Sequence, residues 1–232
     1  MTAIETRLIE FPINDHVSPG YLAQPADGQA HPGVVVIQEW WGLVPHIKDV
    51  TERLAREGFV ALAPDLYHGQ AAAEPDEARK LAMALDAQRA VQEIAAAARY
   101  LKKMSNVAPE KMGVVGWCMG GGLCLSTAAH HADLIGAAVA FYGRPLTTGD
   151  TARLQVPVLG LYAEHDHGIP PEAVRAFDAE MDKQRTPHEV HIYAGASHAF
   201  FNDTRPQIYQ AAAAQDAWQK TLAWFRKYLA KD

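Results

Sequence analysis

Short apolar runs alternate along this chain with longer stretches whose apolar residues recur every three or four positions, and few folds accommodate that alternation. Val34-Val35-Val36-Ile37 contains no polar position, so a strand there must be covered on both faces. Comparable strands are expected at Phe59 to Ala63, Lys111 to Trp117, Leu134 to Tyr142, Val156 to Tyr162 and His188 to Tyr193. Helical periodicity fills the gaps. Residues 46–57 put Ile47, Val50, Leu54 and Ala55 on one face and stop at Gly58. Residues 76–104 form an alanine-rich helical region long enough to be two helices, and 119–131 form another. Pro170-Pro171 suits the first turn of a helix running to about Gln184. Within 206–229, Trp218, Leu222, Phe225 and Leu229 recur at helical spacing. At the start, residues 2–11 and 17–24 alternate as a hairpin would around Asn14-Asp15. Strands alternating with helices predict an α/β fold, with a mostly parallel central sheet and helices on both faces. No linker, charge block or repeat divides the chain, so residues 1–232 are expected to form one domain.

Charge narrows the partners. A formal net charge of −6 offers no basic surface to nucleic acid or to an anionic membrane, and neither is expected to bind. Glu5, Arg7 and Glu10 interrupt the segment from Met1 to Phe11, which therefore lacks the apolar centre of a secretory signal. No stretch reaches the ~20 apolar residues that span a bilayer. The expectation is a soluble cytoplasmic protein, monomeric or a small homo-oligomer. If the segment after Met119 is helical, Cys118 and Cys124 lie roughly 9 Å apart along its axis, beyond the ~7 Å between α-carbons that a disulfide tolerates. Cys124, among Leu123, Leu125 and Ala128, is expected to pack in the core.

Cys118 is different. The run Val114-Val115-Gly116-Trp117-Cys118-Met119-Gly120-Gly121-Gly122 is a strand, then Gly-x-Cys-x-Gly, then a helix, which is the layout of a nucleophile elbow with cysteine in place of serine. Glycines flank the cysteine because a side chain thrust from so sharp a turn leaves no room for bulk two residues away. The helix that follows turns its free N–H groups toward the sulfur, a setting that favours thiolate over thiol.

In an open α/β sheet, chemistry collects outside the carboxyl ends of the strands. Polar residues stand at those ends: Gln38-Glu39-Trp40-Trp41, Asp65-Leu66-Tyr67, Tyr142-Gly143-Arg144, Glu164-His165-Asp166-His167 and Ser197-His198. A cysteine nucleophile needs a base, and the base needs an orienting acid. The chain order Cys118, Asp166, His198 is that of α/β-hydrolases and not that of chymotrypsin-like or subtilisin-like enzymes. Glu164 is an alternative acid, placed nearer its strand end. His165-Asp166-His167 has no further thiolate or carboxylate at metal-site spacing, so neither a metal ion nor a cofactor is expected. His130 and His131 suit a helix C-terminus, and His191 alternates outward within a strand. Trp40 and Trp41 suit core or pocket wall equally.

Together these motifs resemble the dienelactone hydrolase family over nearly the whole chain. They are Gln38-Glu39-x-x-Gly42, Pro64-Asp65-Leu66-Tyr67, Gly116-x-Cys118-x-Gly120-Gly121, Tyr142-Gly143, Asp166 and Gly195-x-x-His198-x-Phe200. The resemblance implies an α/β-hydrolase fold and cofactor-independent hydrolysis of small carboxylic esters or lactones through a thioester acyl-enzyme. It assigns Cys118 as nucleophile, His198 as general base and acid, and Asp166 as the acid that orients it. Glu39 would contact the thiol and help to activate it, and the backbone N–H groups of Met119 and Trp40 would form the oxyanion hole. Tyr67, Tyr142, Arg144 and Arg205 are the candidate substrate contacts. The chain departs from the family where substrate is chosen. The two family arginines that hold a substrate carboxylate fall at Gly69 and Asn202 here, and the small polar residue after the histidine is Ala199. The alternative is a ligand-binding or thiol redox-sensing protein in which Cys118 is oxidised instead of acylated. A sensor, however, needs no acid behind its histidine.

Overall fold

The computed structural model describes residues 2–14 and 16–229. Both faces of the predicted central strand are covered. In β3 (Gly33–Ile37), Val34 and Val36 pack into one apolar cluster while Val35 and Ile37 pack into another on the opposite face. The strand belongs to an eight-stranded sheet in the order β1-β2-β4-β3-β5-β6-β7-β8. Its antiparallel part is the N-terminal hairpin of β1 (Ile4–Ile13) and β2 (His16–Pro25), with β2 also antiparallel to β4 (Val60–Pro64). Of the Asn14-Asp15 turn, Asp15 lies outside the described residues, and Asn14 takes a left-handed φ of 49°. The remaining strands, β5 (Met112–Trp117), β6 (Ile135–Phe141), β7 (Val158–His165) and β8 (His188–Ser197), run parallel to β3 and β4.

α1 (Pro45–Arg56) and α7 (Ala211–Tyr228) cover one face, burying Ile47, Val50 and Leu54 beside Leu222 and Phe225. α3 (Ala87–Lys102), α4 (Met119–His130) and α6 (Pro171–Asp182) cover the other. The long alanine-rich region does divide, into α2 (Pro75–Ala84) and α3, because the Asp86 carboxylate accepts from the N–H of Gln88 and of Arg89 and so caps a new helix. Several boundaries differ from those read in the sequence: β1 runs to Ile13 instead of 11, and β7 runs from Val158 to His165 instead of from Val156 to Tyr162. β8 continues to Ser197, and the last helix begins at Ala211 instead of 206, because residues 202–205 close a turn of their own with Arg205 N donating to Asn202 O at 3.1 Å. A short turn of helix, α5 (Thr148–Thr151), has no counterpart in the sequence reading.

Strand order reverses beside β3: the chain goes from β3 outward to β4, then returns to place β5 on the other side. A crevice opens at such a reversal, outside the strand ends. Glu39 and Cys118 leave the sheet there, from β3 and β5.

Candidate active site

Cys118 sits at a φ of 56° and ψ of −119°, a conformation L-residues seldom adopt, directly before the first residue of α4. The strain persists because the surrounding backbone over-determines it. Cys118 N donates to Phe141 O at 3.0 Å, and Gly121 N donates to Cys118 O at 3.0 Å. The flanking glycines let helix and sheet meet: a Cβ on Gly116 would lie 2.1 Å from Gly120 O, and one on Gly120 would lie 2.4 Å from Gln38 O. Among the described residues, neither Met119 N nor Trp40 N donates to a backbone carbonyl.

Strand register assembles the rest. His165 of β7 pairs with Ser197 of β8, so the next residue of each strand, Asp166 and His198, leaves the sheet side by side. Asp166 Oδ2 lies 2.6 Å from His198 Nδ1, while its Oδ1 accepts from Gly168 N at 2.9 Å and Ile169 N at 3.0 Å. Glu164 points elsewhere and accepts from Gly195 N at 2.8 Å, tying the two strand ends together. His165 and His167 are exposed at the cavity mouth. Among the described residues no group of three His, Cys, Asp or Glu side chains could hold a metal ion.

The electrostatics follow from these partners. Burial is the largest influence on His198 and pulls its pKa down. Hydrogen bonds to Asp166 and Cys118, and their charges, more than offset it, so the imidazole is pushed up to about 10. Burial likewise raises Asp166, yet the bond and charge of His198 with the two loop N–H groups hold its carboxyl below the ordinary range. Glu39, 1% exposed, is raised by burial despite hydrogen bonds from Asn202 and Tyr142 and the nearby charges of His198 and Arg205. A pKa raised on folding gives stability that is complete below the ordinary histidine value of about 6.5 and is lost as pH rises through about 10. The gap in melting temperature between wild type and His198→Gln should therefore be wide near pH 6 and narrow toward pH 10.5. A gap independent of pH across that range would contradict the ion-paired histidine.

Cys118, His198, Glu39, Trp40, Trp41 and Arg205 face a common cavity of about 540 Å³. The two tryptophans form its wall, packed edge to face at 5.1 Å. Of the four candidate substrate contacts, Arg205 lines this cavity, its guanidinium 5.2 Å over the Trp41 ring. Tyr67 is buried behind it, and its hydroxyl donates to Trp40 O at 3.2 Å and toward Met119 Sδ at 3.5 Å. It braces Trp40 and Met119, the two residues whose amides the family resemblance assigns to the oxyanion hole. Tyr142 is fully buried, with its ring 5.0 Å from that of His198 and its hydroxyl 3.4 Å from Glu39 Oε1. Arg144 is exposed over a neighbouring cavity that shares only Gly168 with the first. Gly69 lies in an exposed turn, and Asn202 is buried beneath Glu39.

A sequence profile described as the dienelactone hydrolase family matches residues 18–229. The chain belongs to the dienelactone hydrolase family. It is a dienelactone hydrolase-like hydrolase on the α/β-hydrolase fold. Protein usf of Aquifex pyrophilus is 39% identical over 230 residues, covering 96% of this chain and 99% of that one. A provisionally named carboxymethylenebutenolidase of Aquifex aeolicus is 35% identical over 231 residues, at 96% and 99% coverage. Among solved structures, a provisionally named dienelactone hydrolase of Klebsiella pneumoniae superposes with a TM-score of 0.90 at 30% identity, covering 97% of this chain and all of that one.

The contacts of two residues in this site are not foreseen from the sequence. Tyr67 was expected at the substrate, because a strand-end tyrosine gives no hint that it turns inward. Asn202 stands out in the sequence only as the place where a family arginine is missing, and nothing local signals that its amide reaches a carboxylate 163 positions away.

Proposed function

We propose that this protein hydrolyses small carboxylic esters or lactones by nucleophilic acyl transfer, with Cys118 as nucleophile, His198 as base and acid, and Asp166 as the orienting acid. The observation that carries this reading is the 2.6 Å contact of Asp166 with the ring of His198, which lines the same cavity as Cys118. The imidazole, pushed up to about 10, already holds a proton at neutral pH, so sulfur attacks the carbonyl as a thiolate paired with the imidazolium. The resulting oxyanion is received by the amides of Met119 and Trp40, the first at a helix N-terminus, which favours negative charge. Collapse expels the alcohol, protonated by His198, and leaves a thioester on Cys118. A water deprotonated by His198 then releases the acid.

A thiolate leaves a tetrahedral intermediate more readily than an alkoxide or amide does. Attack therefore reverses unless the substrate carries a good leaving group, and activated esters and enol lactones are preferred over amides. The Arg205 guanidinium, held over Trp41, is the anchor for an anionic group on the substrate. Rapid mixing with an aryl ester, quenched in acid and read by peptide mass spectrometry, is expected to show one acyl group on the peptide containing Cys118. An adduct elsewhere, or cleavage of the matching anilide as fast as the ester, would refute the thioester route.

A further inference from the structure

Arg205 takes part in none of the ion pairs found among the described residues. Yet a buried carboxyl is at hand, since Glu39 lines the same cavity and its ionisation responds to the charge of Arg205. A carboxylate that shares a cavity with a guanidinium has a charged, fork-shaped donor open to it. Here both Glu39 oxygens are already engaged. Oε2 accepts from Asn202 Nδ2 at 2.9 Å, and Oε1 accepts from the Tyr142 hydroxyl at 3.4 Å. The Asn202 amide is held in one orientation, because its Oδ1 accepts from Thr204 N at 3.1 Å and from Thr204 Oγ1 at 2.6 Å, leaving Nδ2 to face Glu39. The backbone of the same residue closes the turn from which Arg205 departs.

We propose that Asn202 is a specificity-determining positioning residue: by satisfying Glu39 with a neutral donor, it leaves the Arg205 guanidinium free for a carboxylate or similar anion on the substrate. The inference rests on Arg205 being the anion anchor. Neutrality is what matters. An uncharged amide fills the carboxyl's lone pairs without adding charge to the cavity, whereas a missing donor leaves Glu39 to draw on the Arg205 guanidinium that lines the same cavity.

Asn202→Asp is close to isosteric and keeps the acceptor for Thr204, but it replaces the donor facing Glu39 with a second carboxylate oxygen. Asn202→Leu removes the donor and adds no charge. Phenylacetate serves as the anionic probe and benzyl alcohol as the neutral one, with binding read from quenching of tryptophan fluorescence, which needs no turnover. Both substitutions, and Arg205→Gln, are expected to raise the Kd of phenylacetate about tenfold, with benzyl alcohol changing by less than about twofold. Combining Glu39→Gln with Asn202→Asp exchanges donor and acceptor, and phenylacetate binding should recover to within about threefold of wild type. The role of Asn202 is overturned if Arg205→Gln weakens phenylacetate while neither Asn202 substitution does, or if the exchanged pair shows no recovery. If Arg205→Gln itself leaves phenylacetate unaffected, the anchor reading fails and this inference falls with it. Thermal melts of each variant separate these results from loss of fold.

Discussion

Cys118→Ala is expected to lower kcat for an activated aryl ester by roughly 10⁴-fold or more while the protein stays folded. The size of the loss follows from the proposed route, in which no other side chain can accept the acyl group. What remains is the weak acceleration of a polarised carbonyl beside oriented water. Folding should survive because alanine retains the Cβ and removes only a thiol at the cavity wall. The left-handed backbone at this position is no obstacle, since Ala199 already adopts a φ of 64° in the same site. The melting temperature should thus shift by an amount equivalent to about 1 kcal/mol or less. The imidazole offers a second readout. With the thiol gone, two of the influences that raise His198 disappear, and its titration should move down toward the ordinary histidine range. Single-turnover kinetics, a thermal melt and a histidine titration by NMR test all three. An alanine variant retaining a tenth of the activity would end the nucleophile assignment. One that is inactive because it unfolds would mean that the cysteine is packing.

Much of this was legible because the decisive signals are local. The apolar run at Val34 to Ile37 predicts a strand covered on both faces, and both faces are covered. Gly116, Gly120 and Gly121 mark a turn too tight for side chains, and at each a Cβ would lie within 3 Å of backbone atoms. Asp166 and His198 could be placed because each follows a strand, although the register that puts them side by side depends on a pairing of His165 with Ser197 that no pattern announces. Contacts made across the fold were hidden. Tyr67 braces Trp40 and Met119 from a different strand end, and Asn202 reaches Glu39 from the far end of the sequence. The break at Asp86 was readable in principle, since an aspartate followed by a helical run is a capping signal, but the alanine-rich sequence on either side masked it.

The three consecutive glycines after Met119 are expected to respond in opposite ways to substitution, and the contrast isolates what the elbow requires. A Cβ at Gly120 would sit 2.4 Å from Gln38 O and 2.6 Å from Ile37 O, and at Gly121 it would sit 2.7 Å from Gly143 Cα. All of these neighbours are backbone at strand ends, so no rotamer change relieves the clash. The helix would have to lift away from the sheet, taking Cys118 with it. Gly120→Val should therefore cost more than about 4 kcal/mol, against a typical domain stability of about 5–15 kcal/mol. Loss of soluble folded protein, or a midpoint in urea far below wild type, is the expected result. Gly122 is another matter. The nearest atom to a Cβ there is Arg144 O at 3.5 Å, an ordinary contact, and the position lies inside α4 where glycine is a poor helix former. Gly122→Ala should stabilise by about 0.5–1 kcal/mol, or roughly 1–4 °C in melting temperature, with esterase activity retained. If Gly120→Val folds as wild type does, the close approach of α4 to β3 does not hold the elbow in place. If Gly122→Ala destabilises as severely, the run is needed for flexibility and not for clearance. Clearance predicts that only the glycines facing backbone are irreplaceable.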